Sequence, residues 1–551
     1  MVQIKPEGQP VERSEAGRGE IVTVALLMLL TAVVLGKDIT VGGLRHGDSA
    51  VHAMDGVLVH DWVGGGLEAW RQPMAFAEAQ YAHYPTLGIG RHYPPGFAVV
   101  EAAFFTVLGV SALSARLCVV FFGLAAAAGA YVFVRSLAGR LEAVLATVAL
   151  VTMPVITRWG RQVMLEIPTL AVLIWAAVVF AYYVQRPTGW RLILLLGVSL
   201  AALAFKQSAI FMVVALAVTL VIGGLFRVTP RWQGWLVACV AAAAVLAVMV
   251  SLDGHGAQLL RGDATFPDRW SAEALTYYAR RIPRQVGWPL LAAGFVGLLM
   301  WSRHLGIHGV LLGCWFVACY GMLATMDYKN PRFLLVGLFP LAVGGGLGAG
   351  YLVSCLPGRA VRGAAVVTLA LVCGGVALIR PIRHRPDYGS VVTAYRNAIE
   401  GRAVLFSGLR EGDFVFAVRQ HIPWRRAVVV RGSKLLYTCN GRTDLDFRTS
   451  VGDRADLQKV MRRFAFRSVI VEREDKLDLR EERMLRAYLR EQDEYMLVGS
   501  CRFQMGSQPG RYDATLDVYE SRVPRVRHVD HFDIFIPRSG RTVRLNLRGW
   551  S

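Results

Sequence analysis

Residues 116–135, RLCVVFFGLAAAAGAYVFVR, decide the fold class of this chain. Arginine stands at the two ends of the run and no charged residue lies between them, as expected of a helix crossing a bilayer about 30 Å thick. A second run, residues 168–184 (PTLAVLIWAAVVFAYYV), has the same character. Uninterrupted apolar stretches of this length predict membrane-spanning helices.

Further apolar runs bring the predicted number of spans to about eleven: 21–36, 143–157, 192–205, 208–225, 235–252, 288–301, 309–325, 333–353 and 364–379. We place a break at Lys206 because a lysine near the middle of the bilayer is costly. A single long helix over residues 191–225 would reverse the side of everything after it. With a cytoplasmic N-terminus, an odd count puts the C-terminal part outside.

The predicted domains follow from this layout. Residues 1–380 form a polytopic α-helical membrane domain with external loops 37–115 and 253–287, and residues 381–551 form an external soluble domain. Within the first loop, residues 97–110 predict a helix lying along the membrane interface. His52, Asp55 and Asp61 are interpreted as faces of interfacial helices.

Composition agrees with this class. The 551 residues are 54% hydrophobic and only 18% charged, which excludes a disordered chain and a small disulfide scaffold. The net charge of +20 comes mostly from arginine, and many arginines lie at membrane edges, so anionic lipid headgroups or a phosphorylated lipid, and not nucleic acid, are the expected partner. Cys439 and Cys501 lie in the polar C-terminal part, where a disulfide and two free thiols are equally compatible with the sequence.

The C-terminal part predicts a small α/β domain. Strands are expected at residues 403–408, 426–432, 467–473 and 515–521, and helices at 413–419, 453–466 and 481–493. The arginine-rich stretch after Ser521 is expected to be an irregular basic tail. No catalytic motif is apparent in this domain, and a purely structural role is one interpretation; the family resemblance described below implies another, in which an external C-terminal domain holds an acceptor or shapes the entrance to the site.

Ionisable residues gather just outside the predicted spans, all on the predicted external side. Asp48 follows the first span, Glu166 precedes the span at 168–184, and Lys206 and Arg332 stand at the ends of later spans. A carboxylate that takes a proton from a hydroxyl, beside cations that stabilise a departing phosphate, suits transfer of a phosphate-linked sugar. A simpler interpretation is also open, in which the acids cap or charge helix starts and the cations reach lipid headgroups.

Five short motifs, in order, resemble membrane glycosyltransferases of the GT-C fold, and glycosyltransferase family 39 in particular. GDSAVHAMDGVLVHDWV (47–63) resembles the family's first external loop with its aspartate, and RWGRQVMLEIPTLAVLIWA (158–176) its second acidic loop. The family's Pro-Pro element is similar to HYPPGFAVVEAAFFTVLGVSALSARL (92–117). Its membrane-edge lysine is similar to that of LAFKQSAIF (203–211), and its arginine-aromatic segment is similar to YKNPRFLLVGLFPLAV (328–343).

The resemblance implies a role for individual residues. Asp48 is implied to activate or orient the acceptor, and Glu166 occupies the second acidic position, where the family commonly has aspartate. Lys206 and Arg332 are implied to contact the donor phosphate, as are Arg91 and His92 before the Pro-Pro element. A divalent metal between Asp48 or Glu166 and the phosphate is compatible with these residues, although no ligand cluster requires one.

These implications predict an enzyme of the bacterial inner membrane with its site facing outside. It would transfer a sugar from a polyprenyl-phosphate donor, with inversion, to a glycan, lipid or protein acceptor. A transporter or flippase of a lipid-linked substrate is the alternative, and a membrane-anchored binding module is a second one. The sequence identifies neither the sugar nor the acceptor.

Overall fold

The computed structural model describes residues 13–44, 47–84, 93–222, 266, 268–301, 305–381, 387–438, 447–464, 466–474, 479–505, 512–523, 531–536 and 541–546. Over the described residues up to 381 the chain is mostly helical. In order, its helices are α1 (Arg13–Gly36), α2 (Gly47–Gly64), α3 (Gly66–Arg71), α4 (Pro73–His83), α5 (Gly96–Leu108), α6 (Ala112–Leu137), α7 (Arg140–Thr152), α8 (Pro154–Gly160), α9 (Glu166–Gln185), α10 (Gly189–Phe205), α11 (Ile210–Ile222), α12 (Ala272–Leu275), α13 (Ile282–Val286), α14 (Trp288–Trp301), α15 (Gly306–Ala324), α16 (Phe339–Ser354) and α17 (Arg359–Ile379).

Several of these helices are long and apolar enough to cross a membrane. Five qualify singly, namely α1, α6, α9, α15 and α17, and up to seven spans result if two bent pairs count as one span each. The bent pairs are α7 with α8 (59°) and the 3₁₀ helix Pro331–Gly337 with α16 (60°). The protein is therefore a multi-pass membrane protein.

The predicted spans coincide with helices wherever the structure describes them. The run 235–252 lies outside the described residues, so the count of eleven stays a prediction. The predicted break at Lys206 is confirmed: its backbone is extended (φ −159°, ψ 137°) between α10 and the 3₁₀ turn Gln207–Ala209. The helix predicted at residues 97–110 is present as α5, Gly96–Leu108, and its position along the membrane interface stays a prediction.

Glycines bring α14 and α16 into close contact. A Cβ on Gly348 would lie 1.7 Å from the carbonyl oxygen of Ala293, and one on Gly297 would lie 2.1 Å from that of Gly344. Small residues of this kind let two helix backbones approach where apolar burial alone gives little attraction between helices in lipid. The late segment that carries Arg332 thus leads into a tightly packed helix pair.

The C-terminal part contains helices α18 (Tyr388–Ala394), α19 (Arg396–Ile399), α20 (Glu411–His421), α21 (Gly432–Leu435), α22 (Arg454–Phe464) and α23 (Arg480–Glu491). Its strands are β1 (Arg402–Ser407), β2 (Ala427–Arg431), β3 (Tyr437–Thr438), β4 (Arg448–Thr449), β5 (Ser468–Glu472), β6 (Tyr495–Met505), β7 (Tyr512–Ser521), β8 (His531–Ile536) and β9 (Arg541–Asn546). The main sheet has the order β2-β1-β5-β7-β6, parallel from β2 to β5 and antiparallel from β5 to β6.

The four predicted strands and three predicted helices of this part are confirmed. The expectation of an irregular tail after Ser521 is wrong, because β8 and β9 pair antiparallel there. In β9 the apolar residues Val543 and Leu545 alternate with polar ones, which is typical of a strand. The sequence interpretation gave more weight to the arginine content of this stretch than to the alternation. Strand β6 was also missed by the sequence analysis.

The C-terminal part packs directly on the helical part. Helix α20 lies against α2, and buried apolar residues of both parts belong to one continuous core, among them Ala53 and Val57 of α2 and Phe414 and Val418 of α20. The helix that begins at Gly47 is therefore held from the C-terminal part as well as from its helical neighbours.

Candidate active site

Asp48 lies in the first turn of α2, shortly after the end of α1. The turn between these helices is fixed by the buried Arg116, whose guanidinium donates to the carbonyl oxygens of Ile39 at 2.6 Å and Gly42 at 2.7 Å, and also to that of Gly43. The Asp48 side chain is 42% exposed. Asp48 is thus an accessible carboxylate on an anchored helix start.

Glu166 is the first residue of α9, and its side chain is only 1% exposed. Lys206, in the extended break between α10 and the following 3₁₀ turn, donates from Nζ to Oε1 of Glu166 at 2.8 Å. The interruption of the helix at Lys206 therefore places its ammonium group beside a buried acid that stands forty residues earlier in the chain.

Arg332 joins the two acids. It lies in the 3₁₀ helix Pro331–Gly337, whose start is capped by the side chain of Asn330 accepting the Arg332 N–H at 3.1 Å. Arg332 Nη2 lies 2.7 Å from Oδ2 of Asp48, and Nε lies 3.6 Å from Oε1 of Glu166. The structure thus brings Asp48, Glu166, Lys206 and Arg332 into one ionic cluster, hereafter the four-residue cluster.

Aromatic rings border the four-residue cluster. The Arg332 guanidinium carbon lies 5.8 Å from the ring centroid of Trp159 and 5.5 Å from that of Phe333, and Lys206 Nζ lies 5.5 Å from the latter. Cations placed over aromatic faces are stabilised by the ring quadrupole. The rings also restrict water around the charges, which strengthens every electrostatic interaction among them.

His52, one turn after Asp48, was predicted to be a helix face but lies beside the four-residue cluster. It is buried, and its ring centroid is 5.1 Å from that of Tyr93. Burial lowers the pKa of the imidazole to about 4, although the charges of Asp48 and Glu166 act in the opposite direction. The sequence signal for this position was its i+4 spacing from Asp48, which places both side chains on one helix face.

Asp61, also predicted to be an interfacial face, is buried in an ion pair with Arg419 of α20. Asp55 is not part of the four-residue cluster. It lies near the buried Glu101 of α5, and burial raises the pKa of Asp55 well above its ordinary value. The three residues therefore have three separate environments and do not form a common solvent-facing surface.

Both acids lie where a negative charge favours a helix start, Asp48 in the first turn of α2 and Glu166 at the first residue of α9, but neither precedes its helix as a capping residue would. Glu166 also binds Lys206 with its carboxylate. Lys206 and Arg332 are buried, so they do not extend to a surface where headgroups would lie. Arg91 and His92 lie outside the described residues, and their predicted role stays a prediction.

The side chains of the four-residue cluster do not fit the ligands that a divalent metal ion needs. Asp48 and Glu166 already bind cationic side chains, and no group of three or more His, Cys, Asp or Glu suited to a metal occurs in the parts of the chain that the structure describes. Divalent cations of the magnesium type prefer several oxygen ligands. We therefore derive no step through a metal.

The family model described as dolichyl-phosphate-mannose-protein mannosyltransferase matches residues 92–251. No curated protein sequence matches the chain. The matched segment includes Glu166 and Lys206, but it covers well under half of the chain.

Solved structures resemble the chain over most of its length. ArnT from Cupriavidus metallidurans in the apo state is 12% identical, with a TM-score of 0.57, covering 92% of this chain and 98% of that one. Its complex with undecaprenyl phosphate is 11% identical, with a TM-score of 0.56, covering 91% and 98%. Arabinofuranosyltransferase AftD from Mycobacteria is 14% identical, with a TM-score of 0.53, covering 94% of this chain and 40% of its own. The chain has the fold of these GT-C glycosyltransferases.

Proposed function

We propose that this chain is a membrane glycosyltransferase that transfers a sugar from a polyprenyl-phosphate donor to an acceptor hydroxyl or phosphate. The observation that carries the proposal is the four-residue cluster, in which an exposed carboxylate and a buried one share the cation Arg332. The fold shared with ArnT, one structure of which holds undecaprenyl phosphate, supports the choice of a lipid-phosphate donor.

The proposed reaction is a single displacement with inversion. Asp48, the exposed acid, takes the proton from the acceptor hydroxyl as its oxygen attacks the anomeric carbon. The bond between that carbon and the phosphate oxygen breaks, and its electron pair leaves with the lipid phosphate. Where the acceptor is itself an ionised phosphate, Asp48 orients it and takes no proton.

Arg332 and Lys206 stabilise the departing phosphate in this mechanism. Arg332 Nη1 is buried and has no hydrogen-bond partner among the described residues, so the guanidinium keeps a donor for a ligand. Preorganised cationic donors aimed at developing charge are a large contribution to catalysis in a water-poor site. Arginine suits phosphate because its planar fork offers two parallel donors.

Glu166 acts through the two cations. Its side chain is buried, and its Oε1 atom accepts from Lys206 and lies near Arg332. We assign it a positioning role, in which it sets the direction of both cations and offsets their charge in the absence of substrate.

We place the enzyme in the bacterial inner membrane, with the cluster and the C-terminal domain on the external side. The odd number of predicted spans after a cytoplasmic N-terminus supports this orientation, whereas arginines give it only weak support because the predicted external loop 253–287 is basic too. Accessibility labelling of single cysteines introduced at Glu78 and Arg454 tests it, since both side chains are exposed. If an impermeant reagent labels these positions only after the cells are permeabilised, the proposed orientation is contradicted.

Single-turnover transfer from a radiolabelled lipid-phosphate sugar tests the enzyme proposal. Purified protein in detergent is mixed with a panel of lipid-linked sugars and candidate acceptors, and the anomeric configuration of the product is determined. Transfer that is lost in Asp48→Asn supports the proposal. A flippase would instead move the intact lipid-linked sugar across proteoliposomes with no bond exchanged, and that outcome would replace it.

A further inference from the structure

Within the four-residue cluster the charges are equal in number before any substrate binds. It holds two carboxylates, Asp48 and Glu166, and two cations, Lys206 and Arg332, and among the described residues the ion pairs of both cations are to these acids. A phosphodiester brings one further negative charge. Burying an uncompensated charge is costly, so a bound phosphate calls for another cation at the same place.

A further cation of the C-terminal domain, Arg410, lies next to the start of the helix that carries Asp48. Arg410 precedes helix α20, and its Nη1 atom lies 3.4 Å from the position that a Cβ on Gly47 would occupy. Gly47 is the residue before Asp48. Arg410 is half-buried, and its guanidinium has no ion pair or hydrogen bond to the residues that the structure describes.

The backbone beside Arg410 is held firmly. The N–H of Leu409 donates to Oε2 of the buried Glu472 at 2.8 Å, and the carbonyl oxygen of Arg410 accepts from Asp413 at 3.1 Å and Phe414 at 3.2 Å as α20 begins. The loop that presents the guanidinium is thus anchored on the end of β5 and on its own helix.

The docking of α20 on α2 fixes where this loop lies. Arg419 donates from Nε to Oδ2 of Asp61 at 3.1 Å and from Nη2 to Oδ1, and Gln80 donates to the same Oδ2 at 2.7 Å. Both charged side chains of this pair are largely buried. Two points on α20 and the loop before it, at Arg410 and Arg419, therefore contact the start and the later part of α2.

We infer that Arg410 is a phosphate-binding residue of the transfer site, so that the C-terminal domain completes the site. This inference rests on the proposed function for the identity of the ligand. Two observations converge on it independently: the half-buried cation beside Gly47, the residue before Asp48, and the buried Nη1 of Arg332 that has no partner among the described residues. The ligand is a phosphate monoester or diester, either that of the lipid donor or one carried by the acceptor.

Binding measurements on the full-length protein in detergent distinguish these two sources. The probes are undecaprenyl phosphate alone, and inorganic phosphate in the presence of saturating undecaprenyl phosphate. The variants are Arg410→Ala, Arg410→Lys, and Arg454→Ala as a control, since Arg454 is an exposed arginine of the same domain paired with Glu491. Thermal unfolding of each variant checks that the fold is retained.

Loss of a charge-assisted hydrogen bond is expected to weaken binding roughly tenfold or more. If Arg410→Ala weakens undecaprenyl phosphate binding by this factor, the residue binds the donor phosphate. If lipid phosphate binding is unchanged but inorganic phosphate binding is weakened, it binds an acceptor phosphate. Arg410→Lys should fall between wild type and Arg410→Ala, and Arg454→Ala should match wild type.

Wild-type affinity of Arg410→Ala for both probes would overturn the inference, as would a wild-type protein that binds neither probe. These measurements need no sugar transfer. A protein that transfers no sugar from any donor would remove the proposed function and leave the binding result standing. Conversely, transfer with no effect of Arg410→Ala on either probe would remove only this inference.

Discussion

Arg332 Nη2 lies 2.7 Å from Oδ2 of Asp48, although Asp48 follows the first helix and Arg332 precedes a late one. This contact orients the only exposed carboxylate of the four-residue cluster, and Glu166 holds the same guanidinium from the buried side.

Asp48→Asn is expected to lower single-turnover transfer by at least about 100-fold, because a general base contributes about 10²- to 10⁴-fold. The amide keeps the size of the side chain but cannot accept the proton. Binding of undecaprenyl phosphate, measured in parallel, should change far less than transfer. Glu78→Gln, an exposed carboxylate on α4, is the control and should behave as wild type. Transfer by Asp48→Asn above half the wild-type rate would contradict the assignment.

Glu166→Gln is expected to destabilise the protein by about 3 kcal/mol or more, because it leaves two buried cations without their shared acid. Denaturant unfolding in detergent measures the change. Adding Lys206→Met to this variant should restore part of the stability, since one unpaired charge is removed, but should not restore transfer. Equal stability of wild type and Glu166→Gln would show that the ion pairs do not support the fold.

Arg332→Lys is expected to lower transfer more than tenfold, because lysine keeps the charge but loses the planar fork that spans both carboxylates. The single-turnover rate constant for sugar transfer from the bound donor is measured, together with the affinity for the donor. Arg269→Lys is a matched control, because Arg269 is partly exposed and lies 3.5 Å from Asp327. A variant as active as wild type would mean that point charge alone is sufficient at this position.

Asp61→Asn is expected to loosen the C-terminal domain by leaving Arg419 buried without its acid, at a cost of about 3 kcal/mol. Hydrogen exchange should increase in α2 and α20, the two helices that the ion pair joins. The double variant Asp61→Arg with Arg419→Asp should recover part of the protection. Glu491→Gln, which breaks an exposed pair with Arg454, should leave exchange unchanged. Unchanged exchange in Asp61→Asn would show that the domain docks without this pair.

His52 predicts a loss of stability in acid. Its pKa is about 4 in the folded protein and near 6.5 when unfolded, so the unfolded chain binds a proton first as the pH falls. Stability should decrease by about 2 kcal/mol between pH 6.5 and pH 5. His52→Gln, which cannot titrate, should flatten this part of the stability profile. Identical profiles for the two proteins would show that His52 titrates normally.

Much of the fold was predictable because apolar runs and strand alternation are local properties. The break at Lys206 followed from the cost of a charge in the bilayer, and helix α5 from the apolar run after Pro95. Strands β1, β2, β5 and β7 followed from their β-branched residues. The hairpin of β8 and β9 was missed because arginine content was given more weight than alternation.

The roles of charged residues were less predictable, since a charge near a helix end suits several structures. Residue order indicated Asp48, Glu166, Lys206 and Arg332 as candidates, but not that Glu166 is buried and Asp48 exposed. His52 and Asp61 show the limit most clearly. Both were interpreted as faces of interfacial helices, and the side chains of both are covered by segments distant in sequence, His52 beside Tyr93 and Asp61 in its ion pair with Arg419.

Local sequence was thus enough to specify a polytopic helical protein with a C-terminal α/β domain, because hydrophobic periodicity depends on near neighbours in the chain. Which charges share one cluster, and that Arg410 of the C-terminal domain reaches the start of α2, depended on tertiary packing. Ion pairs join atoms within a few ångströms in space, and distance along a chain carries no information about such contacts until the helices have packed.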